Sequence, residues 1–218
     1  MEEVDVIIEI SKGGHIKYEY EKDRNMLICD RILHTPMKYP FNYGFVPNTL
    51  SEDGDPLDVV VLMDDELVPG CLIKCKVLGY LDTKDDAGND PKIIVCPVKK
   101  VDPMWKNVDN LLSIHDVNLN YTQDVNYLIE HINNNCLSYK DNCGVYGLNI
   151  NPVILTRVKY FFQHYKDLEN KKVQVGKFYN KEEALKIYKD SLEKFKYNSI
   201  QKTKITNFFQ KEHLIVRF

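Results

Sequence analysis

Three aspartates fall within six residues in the segment Asp53-Gly54-Asp55-Pro56-Leu57-Asp58-Val59. Carboxylates this close repel one another unless a cation lies between them. Gly54 and Pro56 break regular structure, so the acids sit on a turn that enters the apolar run Val59-Val60-Val61-Leu62. A turn mounted on a strand is a rigid place for oxygen ligands, and hard divalent cations take oxygen. A solvated acidic loop is the plainer reading of such a segment alone. An EF-hand is excluded by position: Leu57 holds the fifth place of the loop, Asp58 the sixth where glycine is needed, and Asp64 the twelfth.

A second acidic turn runs from Asp85 to Lys92 and includes Asp90. By itself it reads as a solvent-facing hairpin. Together the two turns lead into different strands, so they can meet at one end of a barrel and hold more than one divalent ion. Possible polyanion donors lie elsewhere along the chain. Lys17 and Glu19 share one strand face, Asp30-Arg31 ends the next strand, and Tyr39-Pro40-Phe41-Asn42-Tyr43-Gly44 offers phenols. His164-Tyr165-Lys166-Asp167 closes a helix. Each of these has an ordinary structural reading, as an exposed lysine, a surface arginine or a core tyrosine. The combination suits a polyanion bound by metals on one side and by guanidinium, ammonium and phenol groups on the other.

The elements that must present these groups change character halfway along. Val4–Ile10, His15–Tyr20, Met26–Cys29, Val59–Met63, Cys71–Leu81 and Lys92–Val98 read as short strands separated by Gly-, Asp- and Pro-rich turns. Strands at this spacing suggest a small barrel or sandwich. Later the period becomes helical. Asn151-Pro152 reads as an N-cap with proline at the first helical position, followed by Ile154, Val158, Phe161, Phe162 and Tyr165. Asn180 with Glu183 forms a capping-box pattern ahead of an apolar stripe of Leu185, Tyr188, Leu192 and Phe195. A further short helix is expected around Val125–Ile132.

The 218 residues, with 44% hydrophobic and 28% charged side chains, are enough for a sizeable core. A net charge of −3 gives no bulk reason to expect nucleic acid as a partner. No secretory signal and no apolar run of membrane-spanning length are visible, so the expectation is a cytoplasmic protein with no membrane partner. The six cysteines (Cys29, Cys71, Cys75, Cys96, Cys136 and Cys143) read as buried free thiols.

With these residues in place, the chain resembles the soluble family I inorganic pyrophosphatases. Their signature, D-G-D-P-apolar-D-apolar, is unbroken from Asp53 to Val59. Ile7-Ile8-Glu9-Ile10, Ile16-Lys17-Tyr18-Glu19, Asp30-Arg31, Tyr39 to Gly44, Asp85 to Lys92, and Phe161 through Glu169 follow in family order. The resemblance covers about 4–100 and 152–195. It implies an α+β, mainly β, fold: a five-stranded OB-like closed barrel flanked by helices. It also implies hydrolysis of inorganic pyrophosphate to two orthophosphates with three to four Mg²⁺ per site.

Carried over residue by residue, the resemblance gives Asp53, Asp58 and Asp90 to a first metal, with Asp58 also touching a second. The water bridging those two ions would be the nucleophile, and Asp55 the general base. Asp85 and Asp90 would hold an ion arriving with substrate, and Glu9 would face a fourth position. Lys17, Arg31, Tyr43, Lys92, Tyr165 and Lys166 would grip the phosphoryl groups, with Glu19 and Tyr39 in support. The expected domain is 1–200, with a surface insertion near 118–151 and an extension of unplaced structure at 201–218. The family implies a homo-oligomer, dimer or hexamer. A competing class is an OB-like module that binds single-stranded nucleic acid through its aromatic and basic residues. The clustered aspartates argue against it, because they repel a phosphate backbone where no metal intervenes.

Overall fold

Val4, Val6 and Ile8 alternate with half-exposed neighbours along the first strand, as a strand with one buried face must. The computed structural model describes residues 3–86, 88–111, 145–146, 149–150, 152–169 and 171–215, with backbone alone for 145–146, 149–150, 152 and 202–215. Strands β1 (Glu3–Ile10), β4 (Asn42–Val46), β5 (Leu57–Val61), β8 (Lys92–Pro97) and β6 (Leu72–Asp85) pair in that order. Pairing of β1 with β6 then closes the ring. The result is a five-stranded mixed barrel in which only β5 and β8 run parallel. Closure removes the free sheet edges that would otherwise template aggregation. β7 (Gly88–Asn89) and β11 (Gln174–Tyr179) extend β6 outside the ring. β2 (Ile16–Glu21) and β3 (Met26–Ile32) form a separate hairpin, while β9 (Val145–Tyr146) and β10 (Asn149–Ile150) pair with each other.

The strands feed two cores from their two faces. Val4, Val6, Ile8, Leu57, Val59, Val61, Ile73, Cys75, Val77, Ile93 and Val95 fill one. Tyr43, Val60, Ile94 and Cys96 face the other, which helix α1 (Pro152–His164) covers with Leu155, Val158, Phe161 and Phe162. Phe41 lies 5.6 Å from Phe162 and Tyr39 lies 4.5 Å from Phe161, ring centre to ring centre. Such aromatic contacts add to the burial that fixes α1 on the barrel. Helix α2 (Lys181–Ile215) opens with the expected capping box. The Asn180 amide donates to Glu183 Oε2 (3.2 Å), and the Glu183 amide donates to Asn180 Oδ1 (3.0 Å). Its helical backbone continues through most of the 201–218 extension.

Five strands escape the sequence pattern: the two-residue β7, β9 and β10, and the longer β4 and β11. β4 contains Gly44 and follows Pro40, which read as breakers, yet Gly44 is what lets the barrel close. A Cβ there would lie 1.9 Å from the Ile7 carbonyl oxygen on β1. β11 was not anticipated, since its alternation is weak and half exposed. Strand β3 also runs on to Ile32, so Asp30-Arg31 lies within it rather than at its end. The cysteines divide: Cys75 and Cys96 are buried free thiols, Cys71 is half-buried, and Cys29 is exposed because β3 belongs to the outer hairpin. The expected 125–132 helix, the Asn151 cap, Cys136, Cys143 and most of the 118–151 insertion lie outside the described residues. Among the described residues no helix is long and apolar enough to cross a membrane.

Candidate functional site

The Asp53–Asp58 turn is shaped by its own backbone. Gly54 adopts φ +93°, a conformation that favours glycine. The Ser51 amide donates to the Asp55 carbonyl (2.7 Å), and the Asp55 amide donates to Asp53 Oδ1 (3.0 Å). Thr49 Oγ1 then accepts from the Leu57 amide at 2.9 Å, delivering the chain into β5 with Asp58 at its second position. Asp53 and Asp55 therefore stand exposed at the mouth of a groove, while Asp58 sits deeper and half-buried.

That groove has a volume of about 580 Å³. Its lining contains eight acids, Glu9, Glu19, Glu21, Asp23, Asp30, Asp53, Asp55 and Asp58, against Lys17 and Lys22. Tyr43 also reaches it. Glu9 enters from a bulge in β1 between Ile8 and Ile10, which turns a charged side chain inward. It is only 9% exposed, and its Oε1 accepts the Tyr20 amide at 2.7 Å. Burial, reinforced by the negative charge of Asp58, pushes its carboxyl up to about 8. Burial and the neighbouring Asp53 and Asp58 likewise raise Asp55.

Asp58 joins the groove to a second group of residues. Lys92, 3% exposed, places Nζ 2.5 Å from Asp58 Oδ2 and 2.5 Å from Asp90 Oδ2. Burial opposes its charge, but the two carboxylates outweigh burial and hold it firmly as an ammonium. Asp90 is set by the β6–β7 hairpin: its amide donates to the Thr83 carbonyl at 2.8 Å, and the Thr83 hydroxyl donates back to the Asp90 carbonyl. Below Lys92 lie Tyr43 and Phe162, each ring centre 5.9 Å from Nζ. Tyr39, Tyr43 and Tyr165 are buried here, and burial drives all three phenols well above their ordinary range, so they remain donors.

Lys166 follows α1 and reaches Asp85 Oδ2 at 3.4 Å. Burial lowers its pKa against the pull of Asp85. On the hairpin, Lys17 bonds Glu19 and lies 3.5 Å from Asp30 Oδ2. A bulge opposite Lys17-Tyr18 leaves Asp30 as the extra residue and pairs Lys17 with Arg31 across the strands. Arg31 bonds Asp30 through Nη1 and Glu169 through Nε at 3.1 Å.

The structure thus brings Glu9, Lys17, Glu19, Tyr43, Asp53, Asp55 and Asp58 to one groove. It joins Lys92 and Asp90 to the groove through Asp58, and groups Asp85 with Lys166 and Arg31 with Asp30. Asp30 and Glu169 were absent from the expected site. Asp30 is placed by a bulge and Glu169 lies 138 positions from Arg31, so no local spacing marks either.

The donor set suits hard divalent cations: all oxygen, mounted on turns and strands, with acids outnumbering lysines along the groove. Lys92 engages Asp58 and Asp90 each through Oδ2. Among the described residues no three carboxylates are drawn together as a ready cage. Carboxylates without a cation between them spread apart, and Lys92 fills the gap between this pair.

Comparison with known proteins places this geometry in a family. A family model described as "Inorganic pyrophosphatase" matches residues 6–196. An inorganic pyrophosphatase of Nanoarchaeum equitans is 42% identical over 195 residues, covering 89% of this chain and 98% of that protein. That of Agrobacterium fabrum is 36% identical over 197 residues, covering 89% and 91%. Among solved structures, the inorganic pyrophosphatase of Coxiella burnetii superposes with a TM-score of 0.69 at 35% identity, covering 89% of this chain and 95% of that one.

Proposed function

This chain belongs to the inorganic pyrophosphatase family, hydrolases that act on pyrophosphate, and from that premise we propose how its own residues perform the reaction. The acidic groove and the buried cations beside it receive inorganic pyrophosphate and release two orthophosphates. Asp53, Asp58 and Asp90 would hold a first Mg²⁺, Asp58 would also serve a second, Asp85 and Asp90 would serve a third, and Glu9 would face a fourth position. When bound, the ions neutralise phosphate charge and acidify the attacking water.

Asp55, at the mouth of the groove, accepts the proton of that water. The water oxygen bonds to one phosphorus as the bridging P–O bond breaks, and the second phosphate leaves with the bond's electron pair. Lys92 is already a buried ammonium, so it meets the leaving charge without reorganisation. Lys17, Arg31 and Lys166 approach the phosphoryl groups from the hairpin and from the end of α1. Tyr43 and Tyr165 donate phenolic hydrogens, which burial keeps in place. Glu19 orients Lys17, and Tyr39 packs beneath Tyr43 with ring centres 5.6 Å apart.

The observation that carries this reading is the continuity, through Asp58, of an acid-lined groove with a buried lysine and three buried phenols. The groove's eight acids would repel a bare nucleic-acid backbone, so the same observation disfavours a single-strand binding module. The homo-oligomer, dimer or hexamer, rests on the family resemblance alone. Phosphate release from pyrophosphate, measured with Mg²⁺ and again with chelator, tests the assignment. Turnover should require Mg²⁺, and absence of release with Mg²⁺ present would reject it.

A further inference from the structure

Among the described residues, the hairpin that carries Lys17 and Arg31 pairs with itself and with no barrel strand. Arg31 therefore needs an anchor from outside the hairpin if its long side chain is to have one position. The structure supplies it from the other side of the site. Glu169 lies in the 3-10 turn Asp167–Glu169 that follows α1, and its amide donates to the Lys166 carbonyl at 2.9 Å. Its side chain is 5% exposed, and both carboxylate oxygens lie 3.1 Å from Arg31 Nε. Arg31 Nη1 bonds Asp30. Among the described residues Nη2 has no protein partner. A planar guanidinium held at two of its three nitrogens keeps one orientation and presents the third. A second tie supports the same juncture: Thr35 Oγ1 donates to the Tyr165 carbonyl at 3.4 Å.

We propose that Glu169 is a positioning residue, which holds Arg31 on its outer hairpin in register with Tyr165 and Lys166 so that Nη2 is set to receive a phosphoryl oxygen; this role rests on the assignment of Arg31 to substrate. One short turn then carries two substrate-facing groups, Tyr165 and Lys166, and the anchor of a third. Without the anchor, the arginine must be ordered by pyrophosphate itself. That cost falls on substrate binding, because the same grip is regained once substrate is bound.

The test is steady-state kinetics of the full chain at fixed Mg²⁺ for wild type, E169Q, E169A, R31K and R31K/E169Q, with a thermal melt of each. Glu169→Gln should raise KM for pyrophosphate roughly three- to tenfold while kcat stays within about twofold. Glu169→Ala should raise it further, since the amide of E169Q still offers an oxygen to Nε. In the R31K background, which lacks the guanidinium fork, E169Q should change KM by less than about twofold. A residue that only supports the fold would lower the melting temperature and act equally in both backgrounds, and that result overturns the proposal. A KM at or below wild type in E169Q also overturns it, by showing that Glu169 competes with substrate for Arg31. If R31K binds and turns over pyrophosphate like wild type, the assignment of Arg31 fails and the positioning role with it. An impaired R31K beside an unaltered E169Q removes the positioning role alone.

Discussion

Replacing Lys92 by methionine keeps the aliphatic stem against Tyr43 and Phe162 and removes only the ammonium. In the wild-type chain that ammonium lies 2.5 Å from a carboxylate oxygen of both Asp58 and Asp90. Deleting one partner of a buried ion pair costs about 3–5 kcal/mol, because the remaining charge is left uncompensated. The side chains of Asp58 and Asp90 are 28% and 18% exposed, so water softens the loss toward the lower end of that range, about 3 kcal/mol. For a domain of this size each kcal/mol lowers the melting temperature by about 2–4 °C, giving a fall of roughly 6–12 °C in chelator. Mg²⁺ should recover more in the variant than in wild type, since the ion then also neutralises two carboxylates that no ammonium compensates. At about a hundredfold excess over its dissociation constant a bound ion stabilises by about 2.7 kcal/mol, close to the whole loss. Hydrolysis should stay abolished, because the ion cannot replace the ammonium facing the leaving phosphate. Melting curves in chelator and in Mg²⁺ read out both effects. A variant that melts within about 2 °C of wild type in chelator, or gains no more from Mg²⁺ than wild type does, would refute the argument.

Gly44→Ala should prevent β1 and β4 from pairing, since its Cβ would meet the Ile7 carbonyl at 1.9 Å; a loss of about 3 kcal/mol, or failure to fold, should show in denaturant melts. Asn180→Ala removes one half of the capping box and should cost about 1 kcal/mol, seen as a small drop in melting temperature. Thiol alkylation of the native protein near neutral pH, mapped by mass spectrometry, should mark Cys29 and spare Cys75 and Cys96 until denaturant is added. Burial shields both thiols and pushes that of Cys96 up to about 12.

Much of this arrangement can be read from the chain because it is local. The aspartate turn announces itself through Gly54 and Pro56, and the capping box through Asn180 and Glu183. The barrel strands announce themselves through runs such as Val59-Val60-Val61. What escaped depends on distant contacts. Gly44 reads as a breaker until β1 is known to pass against it. Glu9 and Asp30 owe their directions to bulges, which appear only when two strands are paired. The burial of Lys92 cannot be inferred from a charged residue that opens a strand; it follows from Asp58 and Asp90 closing around it from two different turns. Arg31 and Glu169 meet only because the end of α1 folds over the outer hairpin.

The central claim is that the acidic groove performs the hydrolysis with Asp55 as its base. Its most direct test is phosphate release from pyrophosphate by wild type and Asp55→Asn side by side in Mg²⁺, with the Mg²⁺-induced rise in melting temperature measured on both. The expected result is Mg²⁺-dependent turnover by wild type and a kcat lowered by about 10²-fold or more in the variant, with the metal-induced rise retained. Turnover near the wild-type rate in Asp55→Asn would contradict the account.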